Sequence, residues 1–229
     1  MKLGIMQPYF LPYIGYWQLI KAVDTYVIYD DVAYIVRGWI NRNNLLINGE
    51  KRRFTINLKN ASHNKLINEI EILDDFRNFM KTIEYNYSRA PYYKKVIEIL
   101  VKIIAFDKSN LALFIANSIS IICDYLNIDT HTVLSSSLQK DVSLKGKEKI
   151  IAICKLLNAD KYYNSAGGIA LYKKDDFFHS NIDLYFLKTH IYPYKQFTNT
   201  FISDLSIIDV MMFNSVEEIN NMLNKFELV

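Results

Sequence analysis

The stretch Met6-Gln7-Pro8-Tyr9-Phe10-Leu11-Pro12-Tyr13-Ile14-Gly15-Tyr16 decides the fold. Before it, the short apolar run Lys2 to Met6 reads as a buried strand. The two prolines between Gln7 and Pro12 exclude both a helix interior and a central strand. From Tyr13 to Val23 the pattern turns helical, with Ile14, Trp17, Leu19, Ile20 and Val23 sharing one broad face. Val27 to Tyr29 is apolar again and ends in Asp30-Asp31. This succession of strand, rigid loop, helix and strand is a βαβ opening. In such a unit the first loop faces the ligand crevice, and the helix start offers free N–H groups to an anion. Gln7, Tyr13 and Tyr16 each carry a polar atom that needs a partner if buried.

Further along, the same alternation returns. Strands are expected near 2–6, 26–30, 130–136, 160–164 and 182–187. Together they predict an α/β fold, a Rossmann-like parallel sheet within one domain spanning 1–229. Asn48-Gly49 is a hairpin turn, so residues 44–58 are expected to form a β-hairpin. Leu66 to Leu73 alternates as a strand, with Glu69 and Glu71 toward solvent. A helical insertion of about three helices is expected over 74–126, with Pro91 starting one helix and Ser109-Asn110 capping another. Ser203 or Asp204 is expected to cap a helix over Leu205–Met212. Ser215 with Glu218 has capping-box spacing for the last helix.

Composition narrows the function classes. The 229 residues are 51% hydrophobic and 14% aromatic, which supports a core and excludes disorder. A net charge of +3 is too small to suggest a nucleic-acid partner. No run reaches the ~18 apolar residues of a membrane span. Cys123 and Cys154 lie in apolar helical runs and read as small buried hydrophobes, which suits a cytoplasmic location. Metal-binding signatures are missing, so no metal ligands are expected. The seventeen tyrosines suit sugar or nucleotide surfaces, and also pack well.

Several residues carry chemistry. Arg42, flanked by Asn41 and Asn43, has the planar fork that matches a carboxylate or phosphate. His63 titrates near neutrality and suits general acid–base work or phosphate charge stabilisation. Ser135 and Ser136 leave a strand ahead of Lys145-Gly146-Lys147-Glu148-Lys149, a place for phosphate in which Lys147 is a candidate cation. Asn164 and Ser165, followed by Gly167-Gly168, place backbone amides beside a ligand. Asp30-Asp31 could hold a divalent ion with a nucleotide phosphate.

Pro12-Tyr13-Ile14-Gly15-Tyr16 is similar to the His-x-Gly-His signature of nucleotidylyltransferases and pantothenate synthetase, with tyrosine at both histidine positions. A phenol can donate a hydrogen bond but brings no cation. The resemblance implies ATP with magnesium, activating a carboxylate that an amine then attacks.

A second resemblance covers nearly the whole chain. Ile5 to Tyr16, Tyr29-Asp30-Asp31-Val32, Gly38-Trp39-Ile40-Asn41-Arg42-Asn43, Lys65 to Ile70, Tyr163 to Gly168 and Leu205-Ser206-Ile207-Ile208-Asp209 resemble the WbqC-like family. It implies a role in bacterial surface polysaccharide (O-antigen) biosynthesis, with a sugar nucleotide as the small-molecule partner. The expected topology brings the strand-end residues Gln7, Tyr13, Tyr16, Asp30, Ser135, Ser136, Asn164, Ser165 and Gly167 together at the ligand edge. Tyr9, Gly15, Trp39, Asn41, Asn43 and Gly168 complete the expected binding site. Under the pantothenate-synthetase-like scheme Arg42, His63 and Lys147 offset developing phosphate charge. Two functions follow. One is a transferase that joins an acyl or aminoacyl group, such as glycine, to an amino sugar. The other is a non-catalytic nucleotide- or sugar-nucleotide-binding scaffold.

Overall fold

The computed structural model describes residues 1–229. The chain opens with strand β1 (Lys2–Met6), helix α1 (Ile14–Lys21) and strand β2 (Thr25–Ile28). A hairpin follows, β3 (Arg42–Ile47) with β4 (Glu50–Thr55), and then the short pair β5 (Leu58–Lys59) and β6 (Glu71–Ile72). The expected helical insertion is α2 (Arg77–Tyr87), α3 (Tyr93–Ile104) and α4 (Leu111–Leu126). The chain then returns through β7 (His131–Leu134), α5 (Gly146–Leu156), β8 (Lys161–Ser165), α6 (Lys174–Phe178) and β9 (Asp183–Thr189). It ends with α7 (Ile207–Phe213), α8 (Val216–Leu223) and β10 (Phe226–Leu228).

Six strands form one sheet in the order β10-β9-β8-β1-β2-β7. All neighbours are parallel except β10, which runs antiparallel along β9. The chain moves outward from β1 through β2 to β7, then crosses back to β8 on the other side of β1. Strand order therefore reverses between β1 and β8. That is the Rossmann arrangement, and the reversal opens a crevice at the strand ends.

Both faces of the sheet are covered, as a parallel sheet requires. Alternate side chains of β1 divide between them. Leu3 and Ile5 join a small core with Ile150 and Ile153 of α5 and Phe177 of α6. The opposite face carries the larger core, where Trp17 and Ile20 of α1 meet the helical insertion and the last two helices. Phe10, Phe76 and Phe114 meet there, with ring centroids 5.3–6.0 Å apart.

Some boundaries differ from expectation. Leu66–Leu73 is not one strand: Leu66 makes a single bridge to Ala33, Ile67–Glu69 is a 3₁₀ turn, and Glu71–Ile72 pairs with β5. Ile67 and Ile70, three apart, are wholly buried, and Ile72 is buried in the short strand; Glu69 caps the turn by accepting from the Leu66 N–H at 2.7 Å. The returning hairpin strand stops at Thr55, because Ile56 donates to the Asn41 carbonyl and Leu58 pairs with Ile72 instead. Helix α7 is capped by Ser206, whose Oγ accepts from the Ile208 N–H at 3.3 Å, and not by Ser203 or Asp204. Strand β10 is too short to show any period. Asn110 caps α4 and the Ser215–Glu218 capping box forms, both as expected.

One buried carboxylate ties the late elements to the early ones. Asp209 of α7 is fully buried. Its Oδ1 accepts from Tyr194 Oη at 2.7 Å and Gln196 Nε2 at 2.8 Å, and its Oδ2 accepts from Tyr87 Oη at 2.8 Å. Tyr87 Oη also accepts from the Leu46 N–H at 2.8 Å, which extends the network into β3. No cation pairs with Asp209. Burial pushes its carboxyl above the usual range, and the three hydrogen bonds pull it only part of the way back.

Tyr87→Phe leaves the Leu46 N–H and Asp209 Oδ2 each short of a partner. It is expected to cost about 2–4 kcal/mol, lowering the melting temperature by roughly 5–15 °C in a chain of this size. A shift under a degree would remove the network from the stability account. Asp209 also sets a pH dependence. Its folded pKa lies above the unfolded value of 3.8, so its contribution is complete below that value and is lost as pH rises through the folded one. The stability of the wild type relative to Asp209→Asn should therefore fall as pH rises across that window, read from urea midpoints. A rising difference would contradict the assignment.

Candidate functional site

The loop from Gln7 to Tyr13 is fastened by its backbone. Tyr16 Oη donates to the Gln7 carbonyl at 3.0 Å, and the Phe10 N–H donates to the Ile40 carbonyl at 2.9 Å. The Leu11 carbonyl accepts from Asn43 Nδ2 at 2.9 Å and from Ser206 Oγ at 2.7 Å. The Pro12 carbonyl accepts from Trp17 Nε1 at 3.1 Å and from the Ile207 N–H at 2.9 Å. Leu11 itself sits at φ 48°, in the left-handed region. Such a conformation costs on the order of 1–3 kcal/mol and persists only where its surroundings over-determine it. Phe10 and Leu11 are wholly buried. Tyr9 and Tyr13 are only partly buried, and they face two cavities.

The first cavity, of about 320 Å³, lies at the reversal between β1 and β8. Gln7 and Tyr9 border it after β1, and Asn164, Ser165, Gly167 and Gly168 after β8. A β-carbon on Gly168 would stand 2.4 Å from Asn164 Nδ2, so the turn needs glycine there for the Asn164 amide to sit against it. Asn164 Oδ1 accepts from the Ser165 N–H at 2.8 Å. The second cavity, of about 440 Å³, shares Tyr9 with the first. Tyr13 and Trp39 line it with aromatic rings, the latter with the Arg53 guanidinium 5.3 Å from its centroid, and Asn43, Asn44 and the 3.3 Å Lys51–Asp204 ion pair complete the lining. At Gly15 an added β-carbon would meet Thr189 Oγ1 at 2.4 Å and the Tyr13 ring at 2.6 Å. Glycine thus holds Tyr13 in the cavity wall. Burial raises the pKa of Tyr9 and Tyr13 alike, so both phenols remain neutral donors.

The remaining expected residues take other positions. Tyr16 is buried, with its ring 5.6 Å from that of Tyr9, and lines neither cavity; it positions the loop. Asp30 is buried and accepts from the Ser136 N–H at 2.9 Å, Ser136 Oγ at 2.6 Å and Asn68 Nδ2 at 3.3 Å. It therefore joins the ends of β2 and β7, and Ser136 serves that joint. Ser135 is buried, and its carbonyl accepts from Lys140. Asn41 is held by Tyr34 Oη and the Ile56 carbonyl. Arg42 donates its Nε–H to the Gly38 carbonyl and forms no ion pair. Lys147 pairs with Asp176 at 2.7 Å, which raises its pKa. His63 is exposed in its loop. Neither cavity is lined by Arg42, His63 or Lys147.

Other contacts at the cleft go beyond what the sequence predicts, and Asp31, read there as a candidate ion ligand, is taken up by lysines. Asp31 Oδ2 accepts from Lys140 at 2.8 Å and Lys149 at 3.0 Å. Burial pushes the Asp31 carboxyl up, but hydrogen bonds, chiefly from these lysines, hold it below its ordinary value. Lys149 Nζ also lies 5.2 Å from the centroid of the Tyr29 ring, which lines the first cavity. Tyr29 was legible as the residue leaving β2. Lys51 and Asp204 carry no local signal, being 153 positions apart. No group of three or more His, Cys, Asp or Glu side chains is placed to hold a metal ion.

Strand order and cavity position define an α/β protein with Rossmann topology and a cleft at its switch point. The chain belongs to the WbqC-like protein family, whose model matches residues 7–221. It is also 28% identical over 218 residues to an uncharacterized protein of Mycobacterium tuberculosis, covering 93% of each chain. No solved structure gives a significant match.

The fastening of the loop is open to test. Ser206→Ala removes one of two donors to the Leu11 carbonyl and should cost about 1–2 kcal/mol. Paired with Asn43→Ala it should be non-additive by more than about 0.5 kcal/mol, because both act on one strained carbonyl. Strict additivity in urea unfolding would mean that the two donors act separately.

Proposed function

We propose that the cleft binds a sugar nucleotide and that the protein is a transferase acting on sugar precursors of bacterial surface polysaccharide, in the cytoplasm. The observation that carries this reading is the cavity at the β1/β8 reversal, which meets a second cavity at Tyr9. In open α/β sheets ligands bind at such a reversal. The Ser165–Gly168 turn suits a pyrophosphate, since a glycine turn lets backbone approach phosphate oxygens closely. The rings of Tyr13 and Trp39, with Asn43 and Asn44 beside them, suit a pyranose. The loop after β1 has no glycine between Gln7 and Tyr13, so this reading puts the phosphate turn after β8 instead.

The finer version is amide formation on an amino sugar. ATP would activate a carboxylate with loss of pyrophosphate, and the sugar amine would displace AMP from the acyl adenylate. Arg42, His63 and Lys147 would offset phosphate charge only if β3, the His63 loop and the start of α5 bring them toward the cleft. Asp30 and Asp31 are committed to Ser136, Asn68, Lys140 and Lys149. Magnesium would therefore be held mainly by the nucleotide's own phosphates. One observation favours the scaffold reading instead: no histidine lines either cavity, and the only ionic side chains there are Lys51 and Asp204.

Thermal shift with UDP-sugars, dTDP-sugars and ATP, each with and without magnesium, tests the reading. A ligand at ~100 times its dissociation constant adds about 2.7 kcal/mol, a rise of roughly 5–10 °C here. Gly168→Ala should abolish the rise by displacing the Asn164 amide. A rise with sugar nucleotides supports the cleft, and amine-dependent pyrophosphate release from ATP supports the transferase. Binding without turnover favours the scaffold. No response to any of these ligands would overturn the sugar-nucleotide reading.

A further inference from the structure

Two segments at the mouth of the cleft, and another that packs against the first of them, have an unusual composition. They are residues 32–42, 60–66 and 166–174, and none of them contains an aspartate or glutamate. The acids next to them in sequence are Asp31, held by Lys140 and Lys149, and Asp175 and Asp176, the latter paired with Lys147. The first two segments are joined by the Ala33–Leu66 bridge and by the Tyr34 N–H donating to the Lys65 carbonyl at 2.9 Å. The first and third meet across the β1/β8 cavity, which Ile35 and Leu171 both line.

These segments expose aliphatic and aromatic side chains to solvent. Ile35 is 51% exposed, Val36 50%, Trp39 45%, Ile169 52% and Leu171 73%. The cations of the same segments, Arg37, Arg42, Lys65, Lys173 and Lys174, take part in no ion pair. Their charges are therefore free to meet an external anion, whereas Lys59 and Lys188 on other surfaces are taken up by Glu71 and Glu227.

We propose that this acid-free rim of apolar and basic side chains seats the mouth of the cleft on an anionic bilayer surface. Apolar side chains on loop tips enter the headgroup region, while flanking Arg and Lys meet anionic lipid. A second copy of the chain is a poor occupant, because it would bring unpaired cations against unpaired cations. Nucleic acid leaves the aliphatic side chains without a partner. No helix is long and apolar enough to cross a membrane, so the contact is peripheral. The inference does not depend on which ligand the cleft takes.

Co-sedimentation of the full chain with phosphatidylglycerol–phosphatidylcholine vesicles, against pure phosphatidylcholine, tests it. Binding is expected to the anionic vesicles and to weaken in high salt as charges are screened. Arg37→Glu or Lys173→Glu should each weaken it at least about fivefold. Ile35→Ser combined with Leu171→Ser should abolish it, while Val101→Ser, at an exposed apolar residue of α3, should change nothing. Melting temperatures confirm that the variants fold. Equal binding to neutral vesicles, no binding to either kind, or equal loss with Val101→Ser would each overturn the proposal. So would concentration-dependent self-association removed by the Ile35 and Leu171 substitutions, which would identify a second copy as the occupant.

Discussion

Two adjacent carbonyls, those of Leu11 and Pro12, hold the molecule's working loop in place. Four donors from three parts of the chain converge on them: Asn43 from the hairpin, Trp17 from α1, and Ser206 and Ile207 from the start of α7. Proline supplies no N–H and glycine is absent, so this loop cannot fold back on its own hydrogen bonds. Its shape is imposed from outside. That permits Leu11 its left-handed φ, and the resulting twist buries Phe10 and Leu11 while leaving Tyr9 and Tyr13 on the cavities. The Asp209 network acts one layer further out. It anchors α7, and with it Ser206 and Ile207, to the hairpin and the 194–202 loop.

The cavities follow from these constraints. A parallel sheet whose order reverses leaves a gap between β1 and β8, and the stiff loop after β1 stands at its edge. Because Tyr9 borders both spaces, a ligand with two unlike parts can lie across it. The charged residues that suggest chemistry lie outside these walls. Lys147 is turned to Asp176 and Arg42 to the Gly38 carbonyl. The cavities are therefore already formed, whereas those charged side chains would have to move to reach them.

The parallel strands of the central sheet were legible because most are short apolar runs separated by helical periods; their order and register were not, because both depend on tertiary contact. The hairpin was legible from Asn48-Gly49, and the caps from Asn110 and from Ser215 with Glu218. Segment 66–73 misled because Glu69 and Glu71 mimic strand alternation, while Ile67 and Ile70 pack at turn spacing. Around the site, Gln7, Asn164 and the Gly167-Gly168 turn followed from their place at strand ends. The roles of Tyr16 and Asp30 did not, because a buried polar group serving the fold has the same local sequence as one serving a ligand. The Lys51–Asp204 pair and the two lysines on Asp31 depend on tertiary contact, which one chain read in order does not display.

The most direct measurement is a crystal structure of the chain with whichever sugar nucleotide raises its melting temperature most. The account places the pyrophosphate within hydrogen-bond distance of the Ser165–Gly168 turn, and the sugar past Tyr9 against Tyr13 and Trp39. A nucleotide bound away from the β1/β8 reversal, or a sugar that leaves the Tyr9 cavity unfilled, would contradict it.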